Sequence, residues 1–154
     1  MSKLILMRNP PFWFLLLLAA GAFLHWLIPA DRFIEPQTAT YGLGALLIGA
    51  GIWLNLWTDR IFKTKNVDVK PLAPVNRTLV TGGPFRFTRN PMYLGMLCIL
   101  LGTAVCLVSP MLCAAAIAFF VVIDRTFIAF EEGKLHRQFG IGYDAFANRV
   151  RRWI

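Results

Sequence analysis

Four long apolar stretches occupy most of the chain, and shorter polar segments separate them. The stretches cover residues 12–28, 40–57, 92–109 and 111–130. A helix needs about 20 mainly apolar residues to cross the hydrocarbon core of a bilayer, so each stretch predicts a transmembrane helix, two of them slightly short. The predicted fold class is therefore all-α, with one integral membrane domain over residues 1–154.

The composition supports a membrane protein. Apolar residues make up 57% of the 154 residues and charged residues 16%, whereas a soluble domain is about 45–50% apolar. Lys3 and Arg8 before the first stretch, with small residues at 19–22, are also typical of a cleaved signal peptide. The apolar run continues to Ile28, which is too long for a typical signal sequence, so we expect an uncleaved helix.

The positive charges indicate the orientation. All but one of the 16 Lys and Arg residues lie before the first stretch, between the second and third, or at and after the end of the fourth; Arg32 is the exception. Because basic residues flanking spans stay in the cytoplasm, both termini should be cytoplasmic, in the inner membrane of the cell. The net charge of +8 is explained by these positions and by lipid headgroups, so we expect no nucleic-acid partner.

Two segments are predicted to meet at the cytoplasmic edge. The connector between the second and third stretches is rich in proline and glycine yet contains apolar residues, which favours a packed loop over a disordered one. In the tail, aromatic and aliphatic residues recur at spacings of four, three, four and three, which predicts one face of an amphipathic helix. These residues are Phe139, Tyr143, Phe146, Val150 and Trp153.

Polar residues within or next to the apolar stretches have structural explanations as well as functional ones. Arg89 and Asn90 before Pro91 can simply anchor and start a helix, and Glu131 with Glu132 can simply mark an exit from the membrane. Asp124 can pair with the adjacent Arg125 or act as a base. We expect Asn55 to face the helix bundle, because polar groups are costly in lipid.

Glycine and cysteine have structural interpretations. The series Gly42, Gly44, Gly49 and Gly51 predicts close helix packing. The three cysteines lie within spans without metal-ligand spacing, so no metal site is expected. A small transporter or a non-catalytic membrane subunit is the alternative class of function, but a transporter should place polar groups near the bilayer midplane and not at one end.

The order of several motifs is more specific than any one of them. Leu79 to Phe85, then Arg89 to Gly95, then Glu131-Glu132 followed by Leu135, Phe139-Gly140, Tyr143 and Phe146 resembles the isoprenylcysteine carboxyl methyltransferase and phospholipid methyltransferase superfamily. The resemblance runs from about residue 52 to the end of the chain. It implies an integral membrane enzyme that uses S-adenosylmethionine, with the cofactor site built from the cytoplasmic loop and the tail.

The resemblance also implies roles for individual residues. The implied cofactor contacts are Arg77, Thr78, Leu79, Val80, Phe85, Asn90, Pro91, Met92, Tyr93, Glu131 and Glu132, with Lys70 as a weaker match. Arg89 and Glu131 are the implied catalytic residues, and Arg89 is also expected to face an anionic part of the acceptor.

This chain departs from the carboxyl methyltransferases at three positions. Asn90 and Arg77 stand where those enzymes have histidine, and Phe127 stands where they have a substrate-binding arginine. Arg125 is the candidate replacement for that arginine. The Asn-Pro-Met-Tyr form is closer to the phosphatidylethanolamine methyltransferases, so a phospholipid amine, a prenylcysteine-like carboxylate and another small hydrophobic acceptor all stay open. Each would enter from the bilayer.

Overall fold

The computed structural model describes residues 9–28, 37–65 and 78–154. Within these ranges every regular element is helical and no strand is present, which confirms the all-α prediction for this part of the chain. The elements in chain order are α1 (Pro10–Leu27), α2 (Thr38–Thr64), a 3₁₀ turn (Gly83–Arg86), α3 (Pro91–Cys106), α4 (Pro110–Val122), a π-helical segment (Ile123–Ile128), α5 (Ala129–Phe139) and α6 (Ile141–Arg149).

Three helical runs are long and apolar enough to cross a membrane. They are α1 with 18 residues, α2 with 27 residues, and the continuous run Pro110–Phe139 with 30 residues. All four predicted apolar stretches are therefore helical, but the third forms the shorter apolar helix α3, with 16 residues. The helices continue beyond the predicted spans, because polar residues extend α2 to Thr64 and the last run to Phe139.

The outer faces of α1 and α2 are apolar and uncovered by protein. Trp26 is 74% exposed, Leu46 is 69% exposed and Trp53 is 60% exposed. In water such a surface would be unstable or would associate, whereas lipid tails cover it without cost. The burial pattern therefore agrees with the membrane placement that the composition predicts.

Helices α2 and α3 approach each other closely through glycines seven residues apart. A Cβ atom on Gly51 would lie 2.5 Å from the carbonyl oxygen of Gly95, and one on Gly44 would lie 2.6 Å from the carbonyl oxygen of Gly102. The predicted close packing is confirmed for Gly44 and Gly51. Gly42 and Gly49 face open space instead, since a Cβ at either would meet nothing within 4 Å.

The turn between α3 and α4 is tight, since only residues 107–109 separate the two helices. Pro110 is the first residue of α4, where a missing N–H is harmless. The Ser109 hydroxyl caps the helix by accepting a hydrogen bond of 3.3 Å from the Leu112 backbone N–H. The two helices enclose a core in which Leu100 and Phe119 are fully buried, and Phe14 of α1 meets Phe119 edge-on at 6.2 Å between ring centroids.

The run from α4 to α5 carries the acidic pair to the far end of the bundle. At about 1.5 Å per residue, Glu131 lies about 32 Å from Pro110, which is close to the thickness of the hydrocarbon core. The π-helical segment between α4 and α5 adds a residue to one turn and so rotates α5 relative to α4. Such segments are frequent at functional sites.

The tail folds back against the connector. Gly140, at φ 48°, ends α5 and allows the chain to turn into α6. Tyr143, Phe146 and Val150 are buried with Val80 and Phe85 of the connector in one apolar cluster. The predicted meeting of the two segments is confirmed for residues 78–86. The predicted helical stripe is too long at both ends, because Phe139 belongs to α5 and α6 stops at Arg149. Trp153 packs instead against the core between α3 and α4.

Candidate active site

A cluster of charged and aromatic side chains lies where the start of α3, the start of α5 and the C-terminal segment meet. Arg89 and Tyr93 come from the start of α3, Glu131 and Glu132 from α5, and Arg152 from the C-terminal segment. The groups belong to parts of the sequence separated by about 20 to 60 positions. The fold therefore brings together the two motifs that the sequence analysis singled out.

Backbone contacts between residues 88–90 and 151–152 hold the entrance of α3 in place. The Arg89 N–H donates to the carbonyl oxygen of Arg151 at 3.0 Å, and the Asn90 side-chain amide donates to the carbonyl oxygen of Arg152 at 2.9 Å. The Thr88 hydroxyl donates to the same Arg152 carbonyl at 3.2 Å and accepts from the Asn90 N–H at 3.1 Å. Thr88 and Asn90 are buried, which makes the hydrogen bonds of these two residues costly to lose.

Glu132 is held between two arginines. Its carboxylate lies 3.2 Å from Nη2 of Arg89 and accepts two hydrogen bonds from the Arg152 guanidinium, one of them from Nε at 3.2 Å. The side chains of Arg89 and Glu132 are each only 17% exposed. Charges removed from water are stable only with such close partners, so the three side chains depend on one another.

Glu131 has a different partner from its neighbour. Its Oε1 accepts a hydrogen bond of 2.6 Å from the hydroxyl of Tyr93, which is one turn into α3 and 7% exposed. The bond fixes the carboxyl group of Glu131 against the start of α3. The two adjacent glutamates thus have separate surroundings, one phenolic and one cationic.

Asp124, in the π-helical segment, completes the charged network. Nη1 of Arg152 lies 3.3 Å from both of its oxygens, and the Trp153 indole N–H donates to Oδ1 at 2.9 Å. Its contact with Arg125 is longer, at 3.9 Å. Asp124 is therefore paired chiefly with Arg152, which the sequence analysis did not consider.

The network determines the ionisation of its two members outside the membrane-spanning helices. Burial, followed by the charge of Glu132, raises the pKa of the Tyr143 phenol, although Arg89 opposes the shift and Nη1 of Arg89 donates to its oxygen at 3.5 Å. The hydrogen bond to Glu132 raises the pKa of Arg152 above its usual range. Tyr143 therefore stays neutral and Arg152 charged at physiological pH.

The predicted cofactor contacts fall into two groups in space. Tyr93, Glu131 and Glu132 belong to the charged cluster, beside Arg89 and Asn90. Val80 and Phe85 belong to the apolar cluster next to it, with Leu79 packed against them, and Phe85 contacts Phe62 of α2 at 5.5 Å between ring centroids. Pro91 is buried at the start of α3, Met92 is half-buried, and Thr78 is exposed.

The other three predicted residues have different outcomes. Arg77 and Lys70 are outside the described residues. The side chain of Arg125 is 84% exposed and does not enter the cluster; it approaches the adjacent Asp124 only to 3.9 Å. No group of His, Cys, Asp and Glu suited to a metal ion occurs among residues 9–28, 37–65 and 78–154.

Sequence reasoning missed Arg152 and Trp153 as parts of this site. The spacing predicted Trp153 on the apolar face of an amphipathic helix and Arg152 elsewhere on its circumference, and their partners lie 20 to 29 positions earlier in the chain. The only available signal is the Arg-Arg-Trp sequence directly after the last buried aliphatic residue, Val150. That signal does not indicate which side chain turns inward.

The fold and the cluster define a class of protein: an all-helical membrane protein with polar chemistry concentrated at one end of its bundle. The chain belongs to the phospholipid methyltransferase family, whose family model matches residues 39–141. Isoprenylcysteine O-methyltransferases are relatives within the same superfamily. Arg152 and Trp153 lie beyond the matched range.

Two curated proteins of Arabidopsis thaliana are similar over a shorter stretch. Protein-S-isoprenylcysteine O-methyltransferase A is 41% identical over 75 residues, and Protein-S-isoprenylcysteine O-methyltransferase B is 43% identical over 75 residues. Each match covers 47% of this chain and 36% of the relative. The chain therefore spans about a third of the length of these relatives. No solved structure matches it significantly.

Proposed function

We propose that this protein is an integral membrane methyltransferase that uses S-adenosylmethionine and methylates a lipid or another hydrophobic acceptor at the cytoplasmic edge of the membrane. The observation that supports this most is the union of Arg89, Tyr93, Glu131 and Glu132 in one cluster at the end of an apolar bundle. Family membership adds independent support. A water-soluble donor and a membrane-dissolved acceptor can meet only at such an edge.

The residues of the cluster fit the chemistry of the cofactor. Nε of Arg89 is buried and has no hydrogen-bond partner among the described residues, so a donor is left for an anionic group such as a carboxylate. The carboxyl group of Glu131 is suited to an ammonium group or ribose hydroxyls. Phe85 and Val80 offer an apolar surface to an adenine ring.

In the proposed reaction the protein aligns and shields the reactants. S-adenosylmethionine, when bound, supplies an electrophilic methyl group on its sulfonium centre. Transfer of that group is an in-line displacement, so Arg89 and Glu131 contribute mainly by orientation, and the surrounding apolar core excludes water. An amine acceptor would also have to lose a proton, for which Glu131 is the candidate base because it faces the cluster from the start of α5.

Two classes of acceptor are supported by different findings. The family description favours a phospholipid, and the names of the two plant relatives favour a prenylcysteine carboxylate. Arg89, which directly precedes the entrance of α3, lies 3.2 Å from the Glu132 carboxylate, whereas Arg125 lies outside the cluster. We therefore assign the anionic part of the acceptor, a phosphate or a carboxylate, to Arg89 and not to Arg125. The basic residues at the helix ends support cytoplasmic termini.

Calorimetric titration with S-adenosylhomocysteine tests the cofactor part of the proposal. The full chain, purified in detergent, is expected to bind this reaction product at one site, and the Glu131→Gln protein is expected to bind it about tenfold more weakly, as is usual when a hydrogen bond to a charged group is lost. Absence of binding to the unaltered protein would favour a transporter or a non-catalytic membrane subunit instead.

A further inference from the structure

The C-terminal Arg152 lies among three elements without being part of any helix. Its guanidinium bridges Glu132 on α5 and Asp124 in the π-helical segment, and its carbonyl oxygen accepts from Asn90 and Thr88 at the entrance of α3. One residue thus contacts both halves of the candidate active site. Each of these partners is itself buried or largely buried.

The chemistry of the bridge favours arginine over any other residue. Two carboxylates, Glu132 and Asp124, face each other across the start of α5, and their negative charges would repel without a cation between them. A guanidinium has donors on separate nitrogens in a fixed plane, so it can satisfy both carboxylates at once. In this structure Nε and Nη2 serve Glu132 while Nη1 serves Asp124.

The position of Glu132 then determines the position of Arg89. Glu132 Oε1 is shared between Nη2 of Arg89 and Nε of Arg152, each at 3.2 Å. Without Arg152, the Glu132 carboxylate would lose two hydrogen bonds and would be held less firmly against Arg89. The Arg89 side chain, whose Nε has no partner within the described part of the chain, would no longer be held in one orientation.

We propose that Arg152 is a positioning residue of the active site, which acts through Glu132 to orient Arg89 for the cofactor and the acceptor. The inference rests on the proposed function, since it concerns the same site. It extends that site beyond residues 39–141, the range shared with the family. Trp153 secures the segment from the other side, through its bond to Asp124 and its contact with Phe120 at 4.8 Å between ring centroids.

The adjacent arginine provides a matched control. Arg151 is exposed and contributes its backbone carbonyl to the contact with Arg89, so Arg151→Gln removes the same charge from the same segment and leaves that contact intact. Affinity for S-adenosylhomocysteine is measured at a temperature where thermal melts show every variant to be folded. We expect Arg152→Gln to weaken binding at least about tenfold and Arg151→Gln to change it less than about twofold.

A double-mutant cycle distinguishes positioning from a general structural role. If Arg152 acts through Glu132, then adding Arg152→Gln to Glu132→Gln will weaken binding much less than it does in the unaltered protein. Arg152→Lys, which keeps the charge but cannot bridge both carboxylates, should bind with intermediate affinity and replaces the glutamine variant if that protein does not fold.

Each outcome of these titrations decides between the proposals. Unchanged affinity in Arg152→Gln, or in Arg152→Lys if only that variant folds, would overturn the positioning role and leave the proposed function standing. Effects of Arg152→Gln and Glu132→Gln that multiply independently would also overturn it. An unaltered protein that binds no S-adenosylhomocysteine would overturn the proposed function and this inference together.

Discussion

At the scale of residues, the two adjacent glutamates are distinguished by their partners. Tyr93 donates to Glu131, whereas Arg89 and Arg152 surround Glu132. The sequence could indicate Arg89, Glu131 and Glu132, because they stand in ordered motifs at the ends of apolar stretches. It could not indicate Arg152, whose surroundings are set by contacts with residues 20 and 28 positions away in sequence.

Tyr93 provides the residue-level prediction. Tyr93→Phe removes only the hydroxyl that donates to Glu131 at 2.6 Å, and a hydrogen bond to a carboxyl group contributes about 1.5–3 kcal/mol when that group is charged. We expect affinity for S-adenosylhomocysteine to fall about tenfold, as measured by calorimetry. Tyr41→Phe on the lipid-facing side of α2 is the control, since Tyr41 is 51% exposed. Equal affinities in the two variants would refute a role for the Tyr93 bond.

At the scale of elements, hydropathy predicted which segments are helical but misjudged where they end. The apolar pattern reports the boundary of the bilayer, whereas α2 and α5 continue beyond it through Asp59, Lys63 and the two glutamates. Lys63 and Asp59, one turn apart at 2.6 Å, show how polar residues extend a helix in water. The π-helical segment could not be predicted, because polar residues such as Asp124, Arg125 and Thr126 fit an α-helical turn as well as a π-helical one.

The contact between α2 and α3 provides the element-level prediction. Gly51→Ala would place a Cβ atom 2.5 Å from the Gly95 carbonyl oxygen, so the helices must separate, at a cost of about 1–3 kcal/mol as in overpacked cores. We expect a lower melting temperature in detergent. Gly49→Ala adds the same methyl group to the same helix in open space and should leave the melting temperature unchanged or slightly higher. A similar loss in both variants would contradict close packing at Gly51.

At the scale of the whole molecule, the connector and the tail jointly form one end of the bundle. The apolar cluster of Val80, Phe85, Tyr143 and Phe146 joins them, and the charged cluster lies beside it. The sequence predicted this meeting from an aromatic stripe and an apolar loop. It could not predict that the chain continues past α6 to pack Trp153 against the core between α3 and α4, because nothing in the spacing marks the end of that helix.

The orientation of the protein in the membrane determines from which side the methyl donor must reach the site. If the termini and the clusters lie in the cytoplasm, S-adenosylmethionine must reach the site from that side, because a charged and highly polar molecule does not cross a bilayer unaided. The acceptor must come from the bilayer itself. The sidedness of methyl transfer therefore tests the membrane placement, the donor and the acceptor class in one assay.

The most direct measurement uses sealed membrane vesicles that contain the protein and S-adenosylmethionine labelled in its methyl group, added outside. Inside-out vesicles should transfer label to material that extracts into organic solvent. Right-side-out vesicles, and inside-out vesicles with the Glu131→Gln protein, should transfer far less. Equal labelling by the unaltered and Glu131→Gln proteins, or labelling only in right-side-out vesicles, would contradict a methyltransferase site at the cytoplasmic edge.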